Sequence, residues 1–454
     1  MASAFLSGLQ HRVWRWHFMA GLVVIPFVVI LALTGSTYLF KPQVEAAIEA
    51  GINAKASQEA GAMVPADTLV ETALAAHPGY VLKRYVLPDG PEDLTAEVEI
   101  VGDGPARYLW LDTHTGAILH DVKSDARIMN FMSKIHGTLL GGNRGSLVVE
   151  TMASWTIILI VTGLYLWWPR GVAWWRVFVP DFSVRVGRRD VWKKLHGATG
   201  AWIGVLVLVM LLSGLPWTQV WGAGFTRAKA LAGLKSPGQE WFVTLQSGGS
   251  HAGHDMGGAD LWKTGSDDDE NAIIAGMGAM APAGISLQDV VDKVIPQGLW
   301  APVNIQPPRG ENGVWTVRAM PQFRPRYETV HYDKWTGEEV MRIRFADQNV
   351  ADRTMAYGVA FHEGALFGWP NQVLGVIAAL GVVMLSVTGG VMWWKRKPKG
   401  HVGVPPMPAD RRLAAGVIIL IVGLALFLPM AGLTLLAALA LDMMWSASAA
   451  MRGA

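Results

Sequence analysis

The chain has 454 residues, of which 51% are hydrophobic and 16% charged, with a formal net charge of +2. It is long enough for two or more domains and too apolar for an average soluble one, and so small a net charge provides no nucleic-acid surface. Cysteine is absent, which excludes disulfides, thiolate metal sites, iron–sulfur clusters and covalent c-type haem, so any metal rests on His, Met or oxygen ligands.

Residues 1–17 are short and basic, with Arg12 and Arg15. Residues 18–40 then run without a charge until the end of the segment. An apolar helix of ~20 residues crosses a bilayer, and this run is too long for the apolar part of a cleaved signal peptide, so it is expected to be the first span. Residues 41–145 are polar and mixed. Leu69, Val70, Ala73 and Leu74 have helical spacing over Ala66 to Ala76, and alternating stretches follow at 80–86, 96–100 and 108–112, which predicts a helix and then a meander. Residues 146–168 are the second span, 169–201 a basic loop leading into the third, and 202–221 the third span. Residues 222–370 return to mixed composition, 371–394 are the fourth span, and 395–412 form a basic linker. Residues 413–445 are apolar around Pro429, too long for one helix and short for two, which predicts a thin hairpin or one kinked span. Basic clusters flank the start of span one, the link between spans two and three, and the end of span four, which places these on the cytoplasmic side and both larger polar regions outside. The tryptophans at the span ends are accounted for by an interfacial aromatic belt.

A repeat runs through the apolar segments. His17 precedes Thr34-Gly35 by 34−17 = 17 residues, His136 precedes Thr162-Gly163 by 26, His196 precedes Ser213-Gly214 by 17, and His362 precedes Thr388-Gly389 by 26. The alternation of short and long intervals predicts an internal duplication of a two-span unit. Imidazole is a common haem ligand, and the four histidines are expected to be axial ligands of two b-type haems. Ligands of one haem share a membrane depth, so the topology pairs His17 with His196 near the cytoplasmic face and His136 with His362 near the external face. The long interval exceeds the ~30 Å that one spanning helix needs at ~1.5 Å per residue, so His136 and His362 are expected on short turns before their spans. His11 is a rival to His17, six residues earlier and off its face. Gly21 and Gly200 each follow a ligand by four residues, on the same helix face, and are expected to make room for a porphyrin edge. Gly35, Gly163, Gly214 and Gly389 serve either that purpose or close helix packing. His77, His114, His120, His331 and His401 have no repeat partner and are expected in solvent, and Arg309, Arg318, Arg324 and Arg326 read as surface charge.

The external regions repeat as well. Leu111-Asp112-Thr113-His114-Thr115-Gly116 and Tyr332-Asp333-Lys334-Trp335-Thr336-Gly337 are the same turn, and Trp167-Trp168-Pro169-Arg170 echoes Trp393-Trp394-Lys395-Arg396. With the four His-to-(Thr/Ser)-Gly segments, these make residues 12–397 resemble the PepSY-associated transmembrane-helix family and, within it, bacterial inner-membrane ferric-siderophore reductases. The resemblance implies an α-helical membrane bundle in the inner membrane, multi-pass, with two small α+β PepSY-like periplasmic domains and an internally duplicated TM–PepSY–TM plan. It also implies a haem-dependent ferric (siderophore) reductase: two haem b cofactors, an unidentified inner-side electron donor, and a ferric siderophore or other periplasmic metal chelate as acceptor. The chain departs from the pattern at Ser213, in the apolar tail, and in an insertion bearing His251, His254 and Met256. These three suit a soft or borderline transition metal, which keeps a copper reductase open. A non-enzymatic PepSY scaffold that binds a peptide or protease is the alternative of a different class.

Overall fold

The computed structural model describes residues 2–57, 61–168, 189–234, 284–309, 313–398, 403, 415–438 and 440. The basic link at 169–188, the insertion with His251, His254 and Met256, and His401 lie outside the described residues. In chain order the helices are α1 (Ala2–Tyr38), α2 (Lys41–Asn53), α3 (Ala66–Ala76), α4 (Ile128–Thr138), α5 (Gly142–Trp167), α6 (Arg189–Gly214), α7 (Gln219–Leu231), α8 (Leu287–Val294), α9 (Val350–His362), α10 (Trp369–Arg396), α11 (Ala415–Phe427) and α12 (Pro429–Ala438). The strands are β1 (Val81–Leu87), β2 (Thr95–Val101), β3 (Arg107–Asp112) and β4 (Ile118–Lys123), then β5 (Val303–Gln306), β6 (Val314–Ala319), β7 (Glu328–Asp333) and β8 (Glu339–Arg344). They form two compact units. One comprises residues 1–36, 135–225 and 373–454, the other 37–134 and 226–372.

The first unit is helical. Among the described residues four helical segments are long and apolar enough to cross a membrane: Leu9–Tyr38, Gly142–Trp167, Asp190–Trp217 and Trp369–Arg396. They exceed the apolar runs in the sequence, because backbone hydrogen bonding continues through the aromatic and basic flanks that hydropathy leaves out. His17 and His196 therefore lie inside α1 and α6 rather than at helix starts. Glu150 of α5 is fully buried, and its carboxylate accepts the N–H groups of Val220 and Trp221 at 2.9 Å each. It caps the N-terminus of α7, where donors have no intrahelical partner. Between α4 and α5 the chain turns through Leu139 and Leu140, both at positive φ (48° and 61°). The turn is so tight that a Cβ at Gly145 would collide with the Thr138 carbonyl. In the tail, α11 stops before Leu428 and α12 resumes at Pro429. Leu428 and Ala431 are buried with Ile157 and Leu215, and the Trp155 Nε1–H donates to Thr434 Oγ1 at 3.0 Å, so the tail packs on α5.

The second unit corrects the expectation of two separate domains. Its strands form one antiparallel sheet of eight, in the order β4-β3-β2-β1-β5-β6-β7-β8. The halves join where β1 pairs with β5, with Tyr85 opposite Ile305. Left apart, each four-stranded half would expose an unpaired edge. Joining them removes the β1 and β5 edges, leaving β4 and β8 at the rims, and merges one core, in which Leu69, Ala73, Val290 and Val294 of α3 and α8 lie against Val98, Leu109, Val317 and Val330. The two helices cap each other: Asp67 accepts from Leu287 N and Gln288 N (3.0 Å each), while Gln288 Oε1 accepts from Ala66 N (2.6 Å). The repeated turns are structural. Asp112 accepts the N–H groups of His114 (2.8 Å) and Thr115 (3.0 Å), Asp333 those of Trp335 (2.7 Å) and Thr336 (3.0 Å), and Gly116 and Gly337 take the positive φ that closes each turn.

The opposite face of the sheet is charged. Arg84 bonds Glu97 and Glu99 at 3.0 Å each, and Lys83 reaches Glu99 at 2.9 Å. Burial raises the Glu97 carboxyl above its ordinary range. Burial opposes ionisation of Glu99 too, but Arg84 and Lys83 outweigh it and hold that group below the range. Across the β1/β5 joint the strand register sets Arg318 where the first half has Glu99, and Asn304 where it has Arg84. At these matched positions the second half therefore lacks the Arg84–Glu99 ion pair of the first.

A candidate bis-histidine cavity

His17 of α1 and His196 of α6 come together. Their ring centres are 6.4 Å apart and the planes stand at 88°. Imidazole nitrogens ligate metals at about 2 Å, and a ring centre lies about 1 Å behind its nitrogen, so two imidazoles on opposite sides of one metal have centres about 6 Å apart. Both rings line a cavity of about 750 Å³ whose walls come from α1, α5, α6 and α10. That volume lies in the range of cofactor and ligand sites. Gly21 and Gly200 also line it, in ordinary contact distance of Leu159 and Leu385 for an added Cβ (3.8 and 3.6 Å).

Each histidine has a seat on another helix. His17 Nδ1 lies 2.9 Å from Thr162 Oγ1, and His196 Nδ1 lies 2.9 Å from Thr388 Oγ1. Both hydroxyl protons are committed elsewhere: Thr162 donates to the Ile158 carbonyl and Thr388 to that of Met384, each at 2.7 Å. The threonine oxygens therefore accept, and each imidazole carries its proton on Nδ1. That tautomer leaves Nε2 with a lone pair, as a metal ligand requires. The glycine after each threonine makes room for the ring. A Cβ on Gly163 would stand 3.1 Å from His17 Cε1, and one on Gly389 would stand 3.7 Å from His196 Cε1.

His136 is seated in the same way by the remaining Thr-Gly of α1. Its Nδ1 donates to the Leu31 carbonyl at 2.9 Å with Thr34 Oγ1 at 3.4 Å, and a Cβ on Gly35 would come within 2.6 Å of the ring. Gly35, Gly163 and Gly389 thus pack against imidazoles, a role that the sequence reading did not assign. His136 lies in α4 and His362 ends α9, so each stands on its own short helix before a span rather than on a turn.

Other expected positions change. His11, about 120° round the helix from His17, also lines the cavity and meets the Trp14 ring edge-on at 5.5 Å. His331 is buried, with Nδ1 3.0 Å from Thr316 Oγ1, and His77 pairs with Asp121 at 2.8 Å, so neither is simply solvated. Of the arginines, Arg324 pairs with Glu363 at 2.5 Å and Arg326 stacks 3.5 Å over Trp300. Burial, with Arg309 beside it, lowers the Arg318 guanidinium to about 10, which is unlike an ordinary surface charge. Among the described residues no three His, Asp or Glu side chains converge as a metal site. A two-histidine haem site needs no third protein ligand.

A family model described as the PepSY-associated TM region matches residues 14–396. No curated protein matches the chain.

Proposed function

The chain belongs to the PepSY-associated TM family, and we propose that it is an inner-membrane di-haem b protein that reduces a periplasmic ferric siderophore. The opposed imidazoles of His17 and His196, each with Nδ1 occupied and Nε2 left as a lone-pair nitrogen, carry this reading. They would hold one haem from both faces, and the spacing repeat in the sequence is the ground for proposing His136 and His362 as ligands of the second. When bound, the haems supply one-electron chemistry that the side chains lack. The protein's part would be to fix ring tautomer and orientation through Thr162 and Thr388, to supply the cavity around the two imidazoles, and to bring an acceptor to the external side. One electron per iron, supplied by an inner-side donor that is thereby oxidised, would convert the ferric chelate to the ferrous state, which hard oxygen ligands bind less tightly, so that the metal is released.

The test uses proteoliposomes with a reductant inside, a ferric siderophore outside and a ferrous-specific chromophore as the trap. Wild-type protein is expected to deliver ferrous iron, and His196→Ala to lose at least two orders of magnitude of that rate. A colourless wild-type protein that delivers none would favour a non-enzymatic scaffold whose sheet binds a peptide or protease.

A further inference from the structure

The walls of the cavity change character along its length. To one side of the histidines they are apolar, with Ile25 and Val28 on α1 and Val207 on α6. To the other they carry charge, with Lys193 and Asp190 on α6 and Arg396 on α10, beside His11. Lys193 precedes His196 by three residues and so shares its helix face. Arg396 lies seven residues past Gly389, about 10 Å along the axis and on that glycine's face. Its guanidinium is fixed over the rings of Phe18 (4.4 Å) and Trp14 (5.0 Å), and Nη2 donates to the Gly403 carbonyl at 2.7 Å. Phe18 is the neighbour of His17, so this guanidinium is held close to the histidine level.

A b-type macrocycle is apolar on three sides and bears two carboxylates on the fourth. Resting on the haem reading of this cavity, we infer that Lys193 and Arg396 receive that carboxylate edge. Guanidinium–carboxylate and ammonium–carboxylate bonds are charge-assisted and set direction as well as affinity. The two cations outnumber Asp190 at that end, and Ile25, Val28 and Val207 take the apolar edge. The pair thereby fixes which way the ring lies between His17 and His196.

Full-length wild-type protein and the Lys193→Gln/Arg396→Gln double variant are loaded with haem and with its dimethyl ester, and release to excess apomyoglobin is timed. Haem is expected to leave the double variant 10- to 100-fold faster than wild type. The ester is expected to leave both proteins equally fast, because it has no charge to lose. Equal release of haem and ester from the wild type overturns the inference and needs no variant, so a double variant that fails to fold does not block the test. Failure of the wild type to take up any haem defeats the parent reading with it, whereas haem held firmly without regard to its carboxylates defeats this inference alone.

Discussion

A threonine and the glycine after it act together at three histidines. Each hydroxyl has given its proton to the carbonyl one turn back, so at His17 and His196 it accepts from Nδ1–H, at His136 the Leu31 carbonyl is the nearer acceptor, and the glycine leaves each ring a place to lie. The spaces differ enough to grade. A Cβ stands 2.6 Å from the imidazole at Gly35, 3.1 Å at Gly163 and 3.7 Å at Gly389. Haem per chain is therefore expected to fall most for Gly35→Ala, less for Gly163→Ala and hardly for Gly389→Ala, as counted by haemochrome absorbance. Loss in the reverse order would contradict the seat. Removal of the acceptor in Thr162→Val is expected to weaken haem binding roughly 10- to 100-fold, as loss of an outer-sphere partner usually does. The sequence displayed these pairs through the repeat, but not their purpose. His17 and Thr162 are 145 residues apart, and spacing along a chain says nothing about which helix a side chain faces. Glu150 was visible as the charge in its span, yet its role depends on α7, which folds back to receive it.

At the scale of elements, α3 and α8, the strands and the repeated turns were legible because burial on one face imposes alternation and glycine marks each turn. The ends of the spanning helices were not, because apolar composition ends before the helix does. The expected solvation of His331 failed for a related reason: β7 is an interior strand, covered on both faces. Burial first, then Arg318, lowers the His331 imidazole to about 4. An imidazole whose folded value lies below its unfolded 6.5 binds fewer protons when folded. Its contribution is therefore fully present above pH 6.5 and is lost as pH falls from 6.5 towards 4. The loss amounts to an order of 3 kcal/mol. Hydrogen-exchange protection of β7 is expected to drop over that window in the wild type. Glu49, raised to about 7 by burial and by Glu97, gives an opposite slope between pH 4.5 and 7, so the comparison is with His331→Leu. The variant should lack the acid-side loss, and an unchanged slope would show that His331 does not titrate there.

For the whole molecule, a repeat was legible in the alternating intervals and in the paired turns, and the two turns are built alike. The joining of the two four-stranded halves into one sheet was not. It rests on β1 meeting β5, where Tyr85 and Ile305 lie 220 residues apart, and each half by itself reads as a small domain. The repeat also makes the proposed reading countable, since two histidine pairs would predict two haems. The most direct measurement is the haem-to-protein ratio of the full-length chain, purified in mild detergent, by pyridine haemochrome with a dithionite-reduced spectrum. Two b-type haems per chain are expected, falling to one in His17→Ala and to one in His136→Ala. A wild-type protein with no b-type bands after expression with ample haem would contradict it.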